Sequence, residues 1–260
     1  MKGTDTFIKS ITKKAGDASL SLFGKVGAHH YKSQNLSDAV TKADLRAEHI
    51  ITSAIKKKYP SHGIIAEESG TYRSDAEYVW VIDPIDGTLN FASKIPLFGT
   101  MVALARNGRV ELACIYLPCT KELAFARKGK GAFLNGKRMR CSKQKEWGKS
   151  RGCVAQSLRR ATIPFLEGVI ARAKRKPCVV NAFGSVAVKA IYVADGRSDW
   201  FAFKGIGGTW DAAAPSLILE EAGCKVTNAQ GKPWRVGDIG LIAGSAPIHT
   251  RLLSIAKKSR

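Results

Sequence analysis

Asp83 and Asp86 stand three residues apart in Val79–Phe91, VWVIDPIDGTLNF, directly after the apolar, β-prone run Val79–Ile82. Such a run predicts a buried strand, and acids at its end are costly to bury unless paired or bound to a metal. Four more acids stand at element boundaries. Glu67 and Glu68 close a short apolar run, Asp44 follows Thr41–Ala43, and Asp211 follows Gly207–Trp210. Taken singly, Asp44 and Asp211 read as helix N-caps, and Glu67–Glu68 as a solvated turn. Taken together, carboxylates that converge without basic partners imply Mg²⁺ or a similar hard cation. Gly87 and Thr88 open a predicted helix whose N–H groups suit a phosphate, and Gly184–Ser185 offers a second such terminus. With Thr88 orienting a water and Glu67 taking its proton while also holding metal, the chemistry is metal-assisted phosphomonoester hydrolysis.

The elements that must position these residues follow from periodicity. Helices are predicted over 5–30 and 44–58, the second stopped by Tyr59–Pro60, and a short strand over Ile64–Ala66. Strands over 99–105 and 110–117 flank Asn107–Gly108, and hairpins fill 121–139. Beyond residue 141, strands near 152–156, 178–182, 199–203, 224–228 and 240–244 alternate with helices near 163–175, 184–195, 211–222 and 247–257. The pattern predicts an α+β unit over 1–140 carrying the metal site and an α/β unit over 141–260, closely packed as one.

Composition narrows the class. Forty-two Lys and Arg against 21 Asp and Glu give +21, a field that favours capture of acidic substrates. The charges are scattered and lack the aromatic interleaving of a single-strand binder, so nucleic acid is the less favoured partner. No apolar run approaches the roughly 20 residues of a membrane span, and the absence of a secretory signal predicts a cytoplasmic protein. The basic N-terminal residues Lys2, Lys9, Lys13 and Lys14 faintly suggest a transit segment, but the helical pattern favours an ordinary first helix. The six cysteines show no C-x-x-C pair and no zinc spacing, which predicts six reduced thiols.

With these residues in view, DPIDGTLNF (Asp83–Phe91), AEES (Ala66–Ser69), VTKAD (Val40–Asp44), FGSVA (Phe183–Ala187) and TWDAAAP (Thr209–Pro215) together resemble the inositol monophosphatase family of lithium-sensitive, Mg²⁺-dependent phosphatases. The resemblance covers nearly the whole chain. It implies a layered αβαβα sandwich, two or three Mg²⁺ ions and, as in many relatives, a homodimer. It places one ion on Asp83, Asp86 and Asp211, and another on Glu67, Asp83 and the Ile85 carbonyl. Asp44 reaches a third through water and supports Thr88, which activates the attacking water with Glu67. Phosphate would rest on Ile85, Asp86, Gly87 and Thr88, and the polyol on Gly184, Ser185 and Val186, with Asp211 and Lys204 nearby.

Three departures bear on the substrate. Phe203 or Lys204 replaces the acid that usually contacts a substrate hydroxyl, the Gly205–Gly208 loop is longer by about one residue, and Pro215 stands where glycine is common. The catalytic half implies hydrolysis of an inositol-1-phosphate-like polyol or sugar phosphate. Lys204 and the basic field point to more acidic alternatives: fructose-1,6-bisphosphate, adenosine 3′,5′-bisphosphate, NADP or histidinol phosphate. A haloacid-dehalogenase reading of Ile85–Leu89 fails, because Pro84 occupies the position of the nucleophilic aspartate. A basic nucleic-acid-binding protein on the same scaffold is the distant alternative.

Overall fold

The computed structural model describes residues 3–27, 30–31, 39–154, 162–204 and 207–259. The first half comprises α1 (Thr4–Leu22), β1 (His30–Tyr31), β2 (Ala39–Val40), α2 (Lys42–Lys58), β3 (Gly63–Ala66), β4 (Gly70–Tyr72), β5 (Tyr78–Asp86), α3 (Thr88–Ala92), β6 (Gly99–Arg106), β7 (Arg109–Leu117), β8 (Glu122–Arg127), β9 (Gly131–Leu134) and β10 (Lys137–Arg138). The second comprises β11 (Arg151–Val154), α4 (Ile163–Arg175), β12 (Val179–Asn181), α5 (Val186–Ala194), β13 (Trp200–Phe203), α6 (Thr209–Glu221), β14 (Lys225–Thr227), β15 (Leu241–Gly244) and α7 (Ala246–Lys258).

Among the described residues, two large sheets alternate with three helical layers, and β1 and β2 pair in a separate two-stranded sheet. The eight-stranded sheet runs β10-β9-β8-β7-β6-β5-β3-β4, and the five-stranded sheet runs β12-β11-β13-β15-β14. The stripes Ile8, Ile11, Ala15 of α1 and Ala47, Ile51, Ile55 of α2 cover one face of the larger sheet, against Trp80, Ile82, Val102 and Leu104. Helices α5 and α6 fill the middle layer, touching Val81, Met101 and Ala113 on one side and Phe201, Phe203 and Leu241 on the other. Helices α4 and α7 close the far side over Trp200, Ala202 and Ile242. This is the αβαβα sandwich that the sequence implies.

Most element boundaries agree with the sequence to within two residues. The first helix is shorter, ending at Leu22 rather than 30. Strand β5 is longer, running through both acids to Asp86 instead of stopping at Ile82. Helix α6 begins at Thr209, so Pro215 is its seventh residue and not part of its first turn. With no N–H, Pro215 leaves the Asp211 carbonyl without its i+4 helical donor. Residues 28–29, 155–156 and 205–206 of the predicted elements lie outside the described residues.

The expectation of six reduced thiols is corrected. Cys141 and Cys224 form a disulfide across 83 residues, their Cα atoms 5.5 Å apart. Sequence spacing hid the pair because the fold makes it: the Cys141 N–H donates to the Ala222 carbonyl at 2.9 Å, laying residue 141 beside the end of α6.

Candidate active site

Strand alternation aims Asp83 at the middle layer. Trp80 and Ile82 face α1 and α2, so Val81 and Asp83 face α5 and α6. In a regular strand Asp86, three residues on, would face the other way. The ladder pairs Asp83 with Met101 and Asp86 with Gly99, so three steps on β5 match two on β6. This bulge turns both acids to one side. Pro84, unable to donate to the ladder, sits inside the irregularity, and its carbonyl accepts from the Thr100 hydroxyl at 2.8 Å.

Asp211 joins them from the first turn of α6. One carboxylate oxygen from each of Asp83, Asp86 and Asp211 can be chosen so that all three lie within 4.8 Å of one another. Asp83 is 1% exposed, and its Oδ1 is buried with no hydrogen-bond partner. Burial pushes its carboxyl well above the usual range, and the charges of Glu67, Asp86, Asp211 and Asp44 push the same way. Burial, then Asp86, raises Asp211 to about 7. An orphaned buried oxygen amid converging carboxylates is the donor set of a hard divalent cation, so these residues fit Mg²⁺.

The N-cap reading of Asp44 and Asp211 is corrected: the caps are Thr41 and Gly208, and each aspartate stands three residues further on, its carboxylate accepting from the N–H of the cap. Asp44 Oδ2 accepts the Thr41 N–H at 2.8 Å as part of a capping box, while Oδ1 accepts the Thr88 hydroxyl at 3.0 Å. Burial raises its pKa to about 6, against the hydrogen bonds from Thr41 and Thr88. Asp211 Oδ2 accepts the Gly208 N–H at 2.6 Å. Thr88 Oγ also lies 2.8 Å from the Ile85 carbonyl. Gly87, at φ 87°, makes the turn into α3, and a Cβ there would meet the Leu97 carbonyl at 3.0 Å and Ser185 Cβ at 3.1 Å.

The terminus of α5 is arranged differently from its predicted role. Asp86 accepts Val186 N–H at 3.0 Å, Ala187 N–H at 2.8 Å and the Ser185 hydroxyl. The anion held by Ser185 and Val186 is therefore Asp86 itself, not a free phosphate. Those bonds oppose the burial that raises Asp86. Gly184, at φ 76°, brings the chain against Asn90, whose side chain a Cβ would meet at 2.4 Å.

Lys204 is a further correction. Its ammonium donates to the carbonyls of Ala256, at 2.9 Å, and Ser259, at the C-terminal end of α7. Alternation explains this: Trp200 and Ala202 face α4 and α7, and so does residue 204, while Phe203 packs into the middle layer against Phe201. Neither supplies a charged group to the site.

Three residues escaped the sequence reading. Glu48, 4% exposed on α2, accepts the N–H groups of Glu68 and Ser69, each at 2.8 Å, and so fixes the turn that carries Glu67. Asn90 donates to the Leu97 and Phe183 carbonyls, at 2.7 and 2.8 Å, tying α3 to the loop before α5. Lys189 is the one charged residue of α5 and is 2% exposed. Two left a signal: Glu48 lies at helical spacing from Asp44, Ile51 and Ile55, and Lys189 interrupts an otherwise apolar helix.

The model of the inositol monophosphatase family matches residues 2–260. A fructose-1,6-bisphosphatase/inositol-1-monophosphatase of Thermotoga maritima is 32% identical over 252 residues, 97% of this chain and 95% of that protein. The Nus factor SuhB of Escherichia coli is 35% identical over 246 residues, 93% of this chain and 91% of that protein. The solved structure of the extragenic suppressor protein SuhB from Bartonella henselae superposes with TM-score 0.89 at 29% identity, covering 100% of both chains.

Proposed function

Because the chain belongs to the inositol monophosphatase family and is a phosphatase by that membership, we propose that it is a Mg²⁺-dependent phosphomonoesterase cleaving a polyol or sugar phosphate by direct attack of water. The observation that carries the reading is the trio Asp83, Asp86 and Asp211 around a buried carboxylate oxygen that has no protein partner. The remaining donors of the site are Glu67 and the Ile85 carbonyl, with Asp44 further out, for two or three ions in all. A Mg²⁺ ion held by these residues would supply positive charge to offset that on the phosphoryl group and would make water a better nucleophile.

The chain's own groups orient the reaction. The Thr88 proton has two acceptors, Asp44 Oδ1 and the Ile85 carbonyl. The lone pairs of Thr88 Oγ are thereby left to accept a proton of the attacking water and hold its oxygen in line. Glu67 takes the proton as that water attacks phosphorus and the P–O bond to the alcohol breaks, the departing alkoxide taking a proton from solvent water. Phosphate rests against Ile85–Thr88, and the organic part of the substrate against Gly184–Val186.

Phosphate release is measured over a panel of inositol, sugar and nucleotide phosphates and histidinol phosphate, with Mg²⁺ or EDTA. Turnover with Mg²⁺, abolished by EDTA and by Asp83→Asn, is expected; no turnover of any member, or turnover indifferent to EDTA, refutes the reading.

Two surface features support additions to it. Ile170 on α4 and Val179 and Val180 on the edge strand β12 are exposed apolar side chains, and burial of some of them in a homodimer is an addition that sedimentation would test. The charge of +21, with the relative named a Nus factor, favours a second role in contact with nucleic acid. Its sign is an affinity that falls steeply with salt; affinity absent at low salt removes it.

A further inference from the structure

Lys189 is the buried charge that the proposed chemistry does not use. Helix α5 reads VAVKAIYVA, and Lys189 is 2% exposed within it. Burying an ammonium is costly unless opposite charge compensates it. The groups that interact with its charge are Asp86 and Asp211 of the acidic cluster and the thiol of Cys153, which donates to the Ser198 hydroxyl at 3.6 Å. Lys189 follows Ser185 by four residues and so lies on the same helix face, one turn on. The Ser185 hydroxyl donates to Asp86, and Asp86 and Asp211 share the acidic cluster. The ammonium also stands 6.0 Å from the centroid of the Phe201 ring, on the five-stranded sheet. Asp86 and Asp211 attract Lys189 electrostatically, against the burial that disfavours its charge.

We propose that Lys189 is a built-in counter-charge of the acidic cluster, a positioning residue that partly neutralises Asp86 and Asp211 from behind and thereby sets the affinity of the site for Mg²⁺. The proposal rests on reading that cluster as a Mg²⁺ site. Its logic is that of a resident cation competing with an arriving one. Before metal binds, Lys189 offsets part of the repulsion among carboxylates held within 4.8 Å. With metal bound, the same charge would repel the ion. A protein with Lys189 therefore holds its apo site together more firmly and binds Mg²⁺ more weakly than one without it.

The test is Mg²⁺ titration of the full-length protein at pH 8, followed by thermal melting and by calorimetry, with Lys189→Met and Lys189→Arg. K189M should melt lower than wild type in EDTA, bind Mg²⁺ about tenfold more tightly, and approach the wild-type melting temperature at saturating Mg²⁺. K189R, which keeps the charge, should keep the wild-type midpoint. A K189M protein with the wild-type Mg²⁺ midpoint and the same melting deficit at every Mg²⁺ concentration would show a purely structural lysine and overturn the proposal. Should K189M fail to fold without metal, recovery on refolding in Mg²⁺ but not in Na⁺ of equal ionic strength supports it, and failure in both overturns it. Wild-type protein that shows no Mg²⁺ response at all defeats the metal reading itself, a result distinct from a K189M that responds as wild type does.

Discussion

Replacing Asp83 by asparagine should stabilise the metal-free protein while abolishing its response to Mg²⁺. The carboxylates of Asp83, Asp86 and Asp211 come within 4.8 Å of one another, and two unit charges at that distance repel by about 3.5 kcal/mol at an effective dielectric of about 20. D83N removes two of the three pairs. Burial and the neighbouring charges oppose ionisation of Asp83, so a proton held in the cluster relieves part of this repulsion. The amide preserves the side chain's shape and offers donors to the neighbouring carboxylates. After relaxation, a gain of about 2 kcal/mol is expected, or about 4–8 °C in melting temperature for a chain of this size. The sign follows from the raised pKa of Asp83: the penalty is full above its folded pKa and vanishes as pH falls below the ordinary carboxylate value. The advantage of D83N should therefore shrink toward pH 4. Wild type at Mg²⁺ one hundred times its dissociation constant gains about 2.7 kcal/mol, D83N gains far less, and the order of stability narrows or reverses. Melting curves in EDTA and in Mg²⁺ at pH 7.5 decide it. A D83N protein that melts below wild type in EDTA, or that gains as much from Mg²⁺, refutes the reasoning.

Four other outcomes are expected. Thr88→Ala should cut turnover by about 10²-fold or more with little change in melting temperature, because the hydroxyl that orients water is lost and its partners Asp44 and Ile85 remain; turnover within a fewfold of wild type would exclude that role. Glu48→Gln keeps one of the two acceptor oxygens for the Glu68 and Ser69 N–H groups, so stability should fall by about 1–3 kcal/mol and turnover should fall with it as Glu67 loses its fixed turn, measured by denaturant unfolding and phosphate release. Lys204→Glu should lower the melting temperature, since it removes the donor to the Ala256 carbonyl and sets an anion at the C-terminal end of α7, while the ranking of inositol monophosphate against bisphosphates stays as in wild type. His249, 1% exposed with Thr227 Oγ at 2.9 Å, has its pKa lowered by burial to about 4; its contribution is complete above about pH 6.5 and is lost toward pH 4, about 3 kcal/mol in all, a slope that His249→Gln should remove from the dependence of unfolding free energy on pH.

Legibility in the sequence followed how local each cause was. The strand before Asp83, the helix starts near Asp44 and Asp211, and the turn at Gly87 are written in residues within one turn of themselves, so their positions were readable, although the caps themselves are Thr41 and Gly208. Convergence of three carboxylates from two elements, β5 and α6, was readable only because buried acids need an explanation, and because the family resemblance supplied the pairing. What stayed hidden depends on side-chain direction or on distant chain. A one-residue bulge after Asp83 decides whether Asp86 faces the same layer, and Pro84 was its only sign. Lys204 looked like a substrate contact until alternation along β13 sent it to α7 instead. The Ser185 terminus looked open to phosphate, yet Asp86 fills it, and the disulfide joins cysteines that only the end of α6 brings together.

These corrections bear jointly on substrate choice. With Lys204 engaged at α7 and Phe203 packed on Phe201, β13 presents no charged side chain to the site, so the argument for a bisphosphate from position 204 lapses. The surface field of +21 remains, but it acts at long range and is screened within about 8 Å at physiological salt. Such a field speeds the capture of any phosphate ester without choosing among them. On the proposed placement of the substrate, discrimination would come from short-range contacts at Gly184–Val186, where Ser185 and Val186 already donate to Asp86. A site of this kind recognises the phosphate strongly and the attached alcohol weakly, which predicts comparable kcat/KM for several polyol and sugar monophosphates, and a preference of more than about a hundredfold for one of them would contradict it.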